Sequence, residues 1–148
     1  MSGDNLTELD RMLIEAACSR LINRFVLCGD SGDYAGLASL FTADASFARP
    51  SAPDKPTVGR DAIAAALGAR PPQIRRHVVA NTVITVESAT SARGESCILL
   101  YTGPVQAEGI PVADAKVLIG AFHDTFVKQD GEWLFSERKG SLSLTTTA

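Results

Sequence analysis

The stretch Arg76-His77-Val78-Val79-Ala80-Asn81-Thr82-Val83-Ile84-Thr85-Val86-Glu87 decides the fold class. β-Branched residues crowd it, and their side chains suit a pleated surface better than a helix. Upstream of it the period is different. Thr7-Glu8-Leu9-Asp10 reads as a capping box opening a helix. Apolar residues then recur at Leu9, Leu13, Ala17, Leu21, Phe25 and Cys28, widened by Ile14, Cys18, Ile22 and Val26. That pattern predicts a helix over 8–28, buried on more than half its girth and stopped by Gly29. Asp30-Ser31-Gly32 follows as a turn, and Asp33 can cap a shorter helix that carries Leu37, Leu40 and Phe41 inward. Thr42-Ala43-Asp44 leads into a short strand through Phe47. Pro50, Pro53 and Pro56 then exclude any regular element from 49–58, leaving a loop that is a candidate edge of a pocket mouth. Residues 60–67 form a small alanine-rich helix, ended by Gly68 and Pro71-Pro72.

Downstream, 95–102, 115–128 and 132–142 share the β-rich character, and Gln129-Asp130-Gly131 is a hairpin turn. Three helices followed by a run of antiparallel strands is an α+β pattern, with helices packed on one face of a sheet. Several strands are apolar on both faces, as Val78, Ile84 and Val86 stand opposite in parity to Val79, Asn81 and Val83. No sequence is left to cover the second face, which predicts a homo-oligomer, dimer or trimer, through the outer sheet face.

At 148 residues the chain has the size of a single domain, 1–148. Apolar residues at 45% and charged residues at 21% are ordinary globular composition. A net charge of −3 without any basic block argues against nucleic acid as a partner, and no apolar run is long enough for a membrane span. The opening MSGDNLTELDR has acids where a secretory signal has a basic region, so a cytoplasmic location is expected. Cys18, Cys28 and Cys97 include no CxxC pair and read as small buried apolar residues.

Signatures of hydrolases, nucleotide binders, zinc peptidases and kinases are absent. Only His77 and His123 offer an imidazole. By strand alternation His77, Val79, Asn81 and Val83 share a face. If that face is concave, an imidazole and a carboxamide point into an apolar cavity. His123 faces the other way from Asp124, so no metal site is expected from these residues, and no cofactor is called for.

Several motifs together resemble a known family. They are Gly29-Asp30, Asp33-Tyr34, the run Leu37 to Ala45, Arg76 to Asn81, Gly120 to Phe126, Asp130 to Phe135, and Arg138. This set resembles the nuclear transport factor 2-like superfamily, in the branch of SnoaL-like and scytalone dehydratase-like proteins. The resemblance implies a cone-shaped, strongly curved antiparallel sheet of cystatin-like topology, with three N-terminal helices enclosing a hydrophobic pocket. It also implies that Asp30 and His77 match an aspartate–histidine pair in which the histidine takes a proton from carbon and the aspartate orients it. An imidazole in an apolar cavity needs such a carboxylate to set its tautomer and balance its charge. Phe25 stands where the related dehydrochlorinases carry a lysine.

The expected activity is a cofactor-independent dehydratase, isomerase or cyclase acting on a hydrophobic cyclic small molecule. Asp30 and His77 are the catalytic candidates. Asn81 and Tyr34 would polarise a substrate oxygen. Phe25, Val26, Phe41, Val79, Leu99, Tyr101, Phe122 and Trp133 would form the wall. Asp124, inward beside Phe122 and Phe126, has two readings: a substrate acceptor, or an ion-pair partner of Arg138. The second is preferred because a carboxylate among aromatics needs a partner. The rival from another class is a non-catalytic ligand-binding or assembly subunit, resembling the small subunit of ring-hydroxylating dioxygenases.

Overall fold

A computed structural model describes residues 5–148. Helix α1 spans Glu8–Ser31, and its first turn is closed by the capping box: the Asp10 backbone N–H donates to Thr7 Oγ1 at 3.1 Å and the Thr7 N–H to Asp10 Oδ2 at 2.9 Å. The helix ends at Gly32, in the left-handed conformation at φ 79°, with its N–H donating to the Cys28 carbonyl. The expected stop at Gly29 is therefore three residues early. Gly29 lies inside the helix, where a Cβ would come within 3.7 Å of Leu37 Cδ1. The extra turn matters because it holds Asp30 on the rigid end of α1.

The buried stripe of α1 is Ile14, Cys18, Leu21, Ile22, Phe25 and Val26, while Leu9, Met12, Leu13 and Leu27 are exposed. Burial is narrower than the sequence pattern suggested, because only one side of α1 meets the sheet. Helix α2 (Tyr34–Ala38) starts at Asp33, whose carboxylate accepts from the Gly36 N–H at 2.8 Å. Helix α3 (Arg60–Gly68) buries Ile63 and Leu67.

The strands are β1 (Phe41–Ala48), β2 (Thr57–Val58), β3 (Ile74–Val86), β4 (Ser91–Gly103), β5 (Leu118–Gln129) and β6 (Glu132–Thr145). The two-residue β2 lies within 49–58, where no regular element was expected, because past Pro56 the chain is free to pair with β1. They form one curved, unclosed sheet in the order β2-β1-β6-β5-β4-β3. All neighbours are antiparallel except β1 and β6, which run parallel, so the expectation of an entirely antiparallel sheet is corrected at that one pairing. The β5–β6 hairpin turns at Asp130 (φ 50°) and Gly131 (φ 81°).

The core lies between the helices and the sheet. Phe25 from α1 meets Phe41, Phe47, Phe122 and Phe135 at centroid distances of 5.5–6.2 Å, mostly edge to face, an arrangement that suits the ring quadrupoles. No helix among the described residues is long and apolar enough to cross a membrane. Cys18, Cys28 and Cys97 are free thiols.

One irregularity changes which side chains face inward. Between Ala80, opposite Cys97, and Val83, opposite Glu95, β3 carries one more residue than β4. Asn81 absorbs it with φ 52°, a conformation asparagine tolerates better than most residues. Parity reverses across this bulge. His77 and Val79 share one face, but beyond it Ile84 and Val86 turn inward and Val83 outward.

Candidate active site

A cavity of about 190 Å³ opens between the end of α1, α2, the β1–α3 side and the inner face of the sheet. Its apolar wall includes Phe25, Leu37, Phe47, Leu67, Ile98, Leu100, Leu118, Phe122 and Leu142, with Gly29 on the helix side. Strand register explains the sheet contribution. His77 on β3 lies opposite Leu100 on β4, which lies opposite Leu118 on β5, so one row crosses three strands. His77 is the member of that row with a titratable side chain, and it lines the cavity.

Asp30 reaches His77 from the last turn of α1. Its Oδ1 lies 2.5 Å from His77 Nδ1, and its Oδ2 accepts from the His77 backbone N–H at 2.8 Å. A deprotonated carboxylate can only accept, so opposite it Nδ1 carries a proton, and in a neutral ring Nε2 then keeps its lone pair. Nε2 has no hydrogen-bond partner among the described residues. The Asp30 side chain is 4% exposed and that of His77 16%. The carboxylate is thus shielded from water, while the imidazole has access to the cavity.

Behind the cavity lies a second ionic pair. Arg138 Nη1 donates to Asp124 Oδ2 at 2.6 Å, and both side chains are wholly buried. The Arg138 guanidinium sits 3.9 Å from the Phe122 ring centroid and 4.5 Å from that of Phe25, so two wall residues of the cavity are also its cation–π partners. Burial pushes the Asp124 carboxyl up to about 6, against the opposing pull of Arg138. It pushes the Arg138 guanidinium down. Asp124 Oδ1 and Arg138 Nε and Nη2 make no hydrogen bond to the described residues.

Of the other anticipated site residues, Phe25 and Phe122 line the cavity. Val26 and Phe41 are buried in the core without lining it, and Val79 and Trp133 pack against that core. Tyr34 rests on Gly68, within 3.3 Å of where a Cβ would stand, and contributes nothing to the lining. Leu99 and Tyr101 fall on the opposite face of β4 from Ile98 and Leu100. A one-residue error of register in a strand moves every side chain to the wrong face. Asn81 sits exposed in the bulge, with Nδ2 3.8 Å from Cys97 Sγ, and does not reach the cavity. Its expected role on substrate is corrected to one in backbone geometry.

Arg49, Pro50, Ser51 and Arg70 line the cavity on its more exposed side. The proline-rich loop is thus its edge, but neither arginine was among the expected site residues. Only the return of 49–51 and 70 to the same opening reveals them, and no local pattern encodes that. Among the described residues no group of three His, Cys, Asp or Glu side chains could hold a metal ion.

A family model described as a SnoaL-like domain matches residues 10–139. Solved structures share the fold over most of their length. A protein named as a candidate scytalone dehydratase from Novosphingobium aromaticivorans DSM 12444 is 26% identical, with a TM-score of 0.78 over 96% of this chain and 92% of that one. The hexachlorocyclohexane dehydrochlorinase LinA-type3 from Novosphingobium barchaimii LL02 is 20% identical, with a TM-score of 0.77 over 95% and 93%. A candidate calcium/calmodulin-dependent protein kinase II association domain from Xanthomonas campestris is 13% identical, with a TM-score of 0.69 over 85% of each chain. No curated protein sequence matches the chain.

Proposed function

The chain belongs to the SnoaL-like domain family, and from that premise we propose that it is a small lyase or isomerase in which His77 acts as a base on carbon. The observation that carries this reading is the 2.5 Å contact between Asp30 and His77 on the wall of an apolar cavity. Two polar groups 47 positions apart meet where simple core packing would place neither. The structures named as a candidate scytalone dehydratase and a dehydrochlorinase support the reaction class by analogy of fold.

In this mechanism His77 Nε2 removes a proton from a carbon made acidic by a neighbouring carbonyl or set beside a leaving group. The electron pair of the broken C–H bond moves into the carbonyl as an enolate or expels the leaving group as a double bond forms. The new imidazolium is balanced by Asp30, which is already hydrogen-bonded and needs no rearrangement to stabilise it. The Nε2 proton then passes to the leaving oxygen in a dehydration, or to another carbon in an isomerisation. The cavity restricts the substrate. Since an apolar cavity of roughly 150 Å³ accepts a benzene ring, this one suits a single ring with small substituents.

The test is turnover of single-ring hydroxy-ketones and enones by the wild type, His77→Ala and Asp30→Asn. Removing a positioned base lowers kcat by about 10²–10⁴-fold. Both variants should lose at least a hundredfold. Equal turnover in all three contradicts the mechanism, and ligand binding without turnover by the wild type supports the non-catalytic alternative.

A further inference from the structure

The chain carries net charge −3, yet two cations line its cavity. Arg49 and Arg70 both line it, and both are half-buried. Each is tethered at the C-terminal end of α3. Arg49 Nη2 donates to the Ala66 carbonyl and Arg70 Nε to the Leu67 carbonyl, both at 2.9 Å. Arg75 stands behind them, held by the Pro71 carbonyl at 3.0 Å and the Gln73 carbonyl at 3.4 Å. None of the three forms an ion pair with a carboxylate among the described residues. The nearby carboxylate, Asp30, is committed to His77. Burial, and then repulsion by Arg70, hold Arg49 and Arg75 below the usual guanidinium range, with Tyr34 and Asp30 opposing the fall at Arg75.

Binding helix-terminal carbonyls accounts for one donor of each lining arginine. It leaves Arg70 with both Nη groups, and Arg49 with Nε and Nη1, unpaired among the described residues. It also does not require two arginines at one helix end, or their place on a cavity wall. The two free Nη groups of Arg70 form a parallel pair of N–H donors shaped for a carboxylate, and Arg49 adds single donors beside them.

We propose that the ligand of this cavity is a hydrophobic carboxylic acid, its ring in the apolar chamber beside His77 and its carboxylate held at the opening by Arg49 and Arg70. The inference rests on the proposed site only in placing the ligand in this cavity. It adds the charge of the substrate, which the Asp30–His77 pair does not specify. The carboxylate also sets the substrate's direction of entry, anionic end outward and reacting carbon inward.

The experiment is calorimetric titration with phenylacetate and its neutral isostere phenylacetamide at low ionic strength. The wild type should bind the acid at least tenfold more tightly than the amide, and added salt should shrink that ratio. Arg70→Gln and Arg49→Gln should each weaken acid binding more than amide binding and so reduce the ratio severalfold. His77→Ala should keep the ratio, which separates this inference from the catalytic one. Charge selectivity without turnover would leave the subsite standing and the mechanism refuted. Turnover of neutral substrates that depends on His77, without charge selectivity, would do the reverse. A ratio near one in the wild type, including binding of neither compound, overturns the proposal. So does an undiminished ratio in both folded arginine variants. The salt dependence in the wild type serves as the test should either variant fail to fold.

Discussion

Arg138 and Asp124 face each other across β5 and β6 with no solvent exposure, joined by one hydrogen bond of 2.6 Å and enclosed by phenylalanines. Removing one partner leaves the other charge buried and alone, whereas replacing both by apolar groups removes the desolvation cost of the pair. Arg138→Met should therefore destabilise the protein by about 3–5 kcal/mol at neutral pH. The double variant Asp124→Leu with Arg138→Met should recover most of that loss. Urea unfolding of the two variants checks both statements, and a double variant no more stable than Arg138→Met would contradict them.

The same pair has a pH signature of definite sign. Asp124 titrates near 3.8 in an ordinary environment and at about 6 in the fold. Between those values the folded chain holds a proton that the unfolded chain has released. Its stabilising contribution is thus full below about pH 4 and is lost as pH rises through about 6. The stability of the wild type minus that of the double variant should fall over this window. Unfolding curves at half-unit steps measure it, and a difference that rises with pH would refute the assignment.

Asn81 separates a backbone role from a catalytic one. With φ at 52° and its side chain outside the cavity, Asn81→Gly should stay within about 1 kcal/mol of wild type. Asn81→Val should cost about 1–3 kcal/mol, because a β-branched residue is strained in that conformation. Thermal melting distinguishes them. Turnover by Asn81→Gly should be unchanged, and a large loss would return the carboxamide to the site.

Gly140 ties the sheet to the cavity opening. A Cβ there would lie 2.5 Å from Pro50 Cγ and 2.6 Å from the Pro50 backbone nitrogen. Since backbone cannot yield as a side-chain tip does, Gly140→Ala should displace the 49–51 segment at a cost of about 1–3 kcal/mol. Phenylacetate affinity should weaken along with the melting temperature. A normal melting temperature would show that the loop adjusts freely.

These sites also show where sequence reading reaches its physical limit. Local chemistry was legible: the capping box at Thr7, the cap at Asp33 and the turn at Asp130-Gly131 each depend on neighbours within four residues. The helices-then-sheet layout followed from the change of period, and the family resemblance agrees with the match over 10–139. Face assignments failed on β4 and beyond the β3 bulge, where register decided them. Leu99 and Tyr101 were placed inward although Ile98 and Leu100 take that face, and Val83 was carried past a bulge that reverses parity. Glycine alone did not identify the end of α1, because Gly29 and Gly32 differ in φ rather than in kind. Arg49 and Arg70 meet only through the packing of α3 against β1 and the loop between them.

Proton abstraction by His77 requires that Asp30 hold the ring with its proton on Nδ1 and leave Nε2 bare. Nitrogen-15 NMR of the imidazole reads this directly, with no substrate required. The expected result is a neutral His77 ring protonated at Nδ1, and a change of that tautomer population in Asp30→Asn. A ring protonated at Nε2, or a spectrum indifferent to the Asp30 substitution, would contradict it.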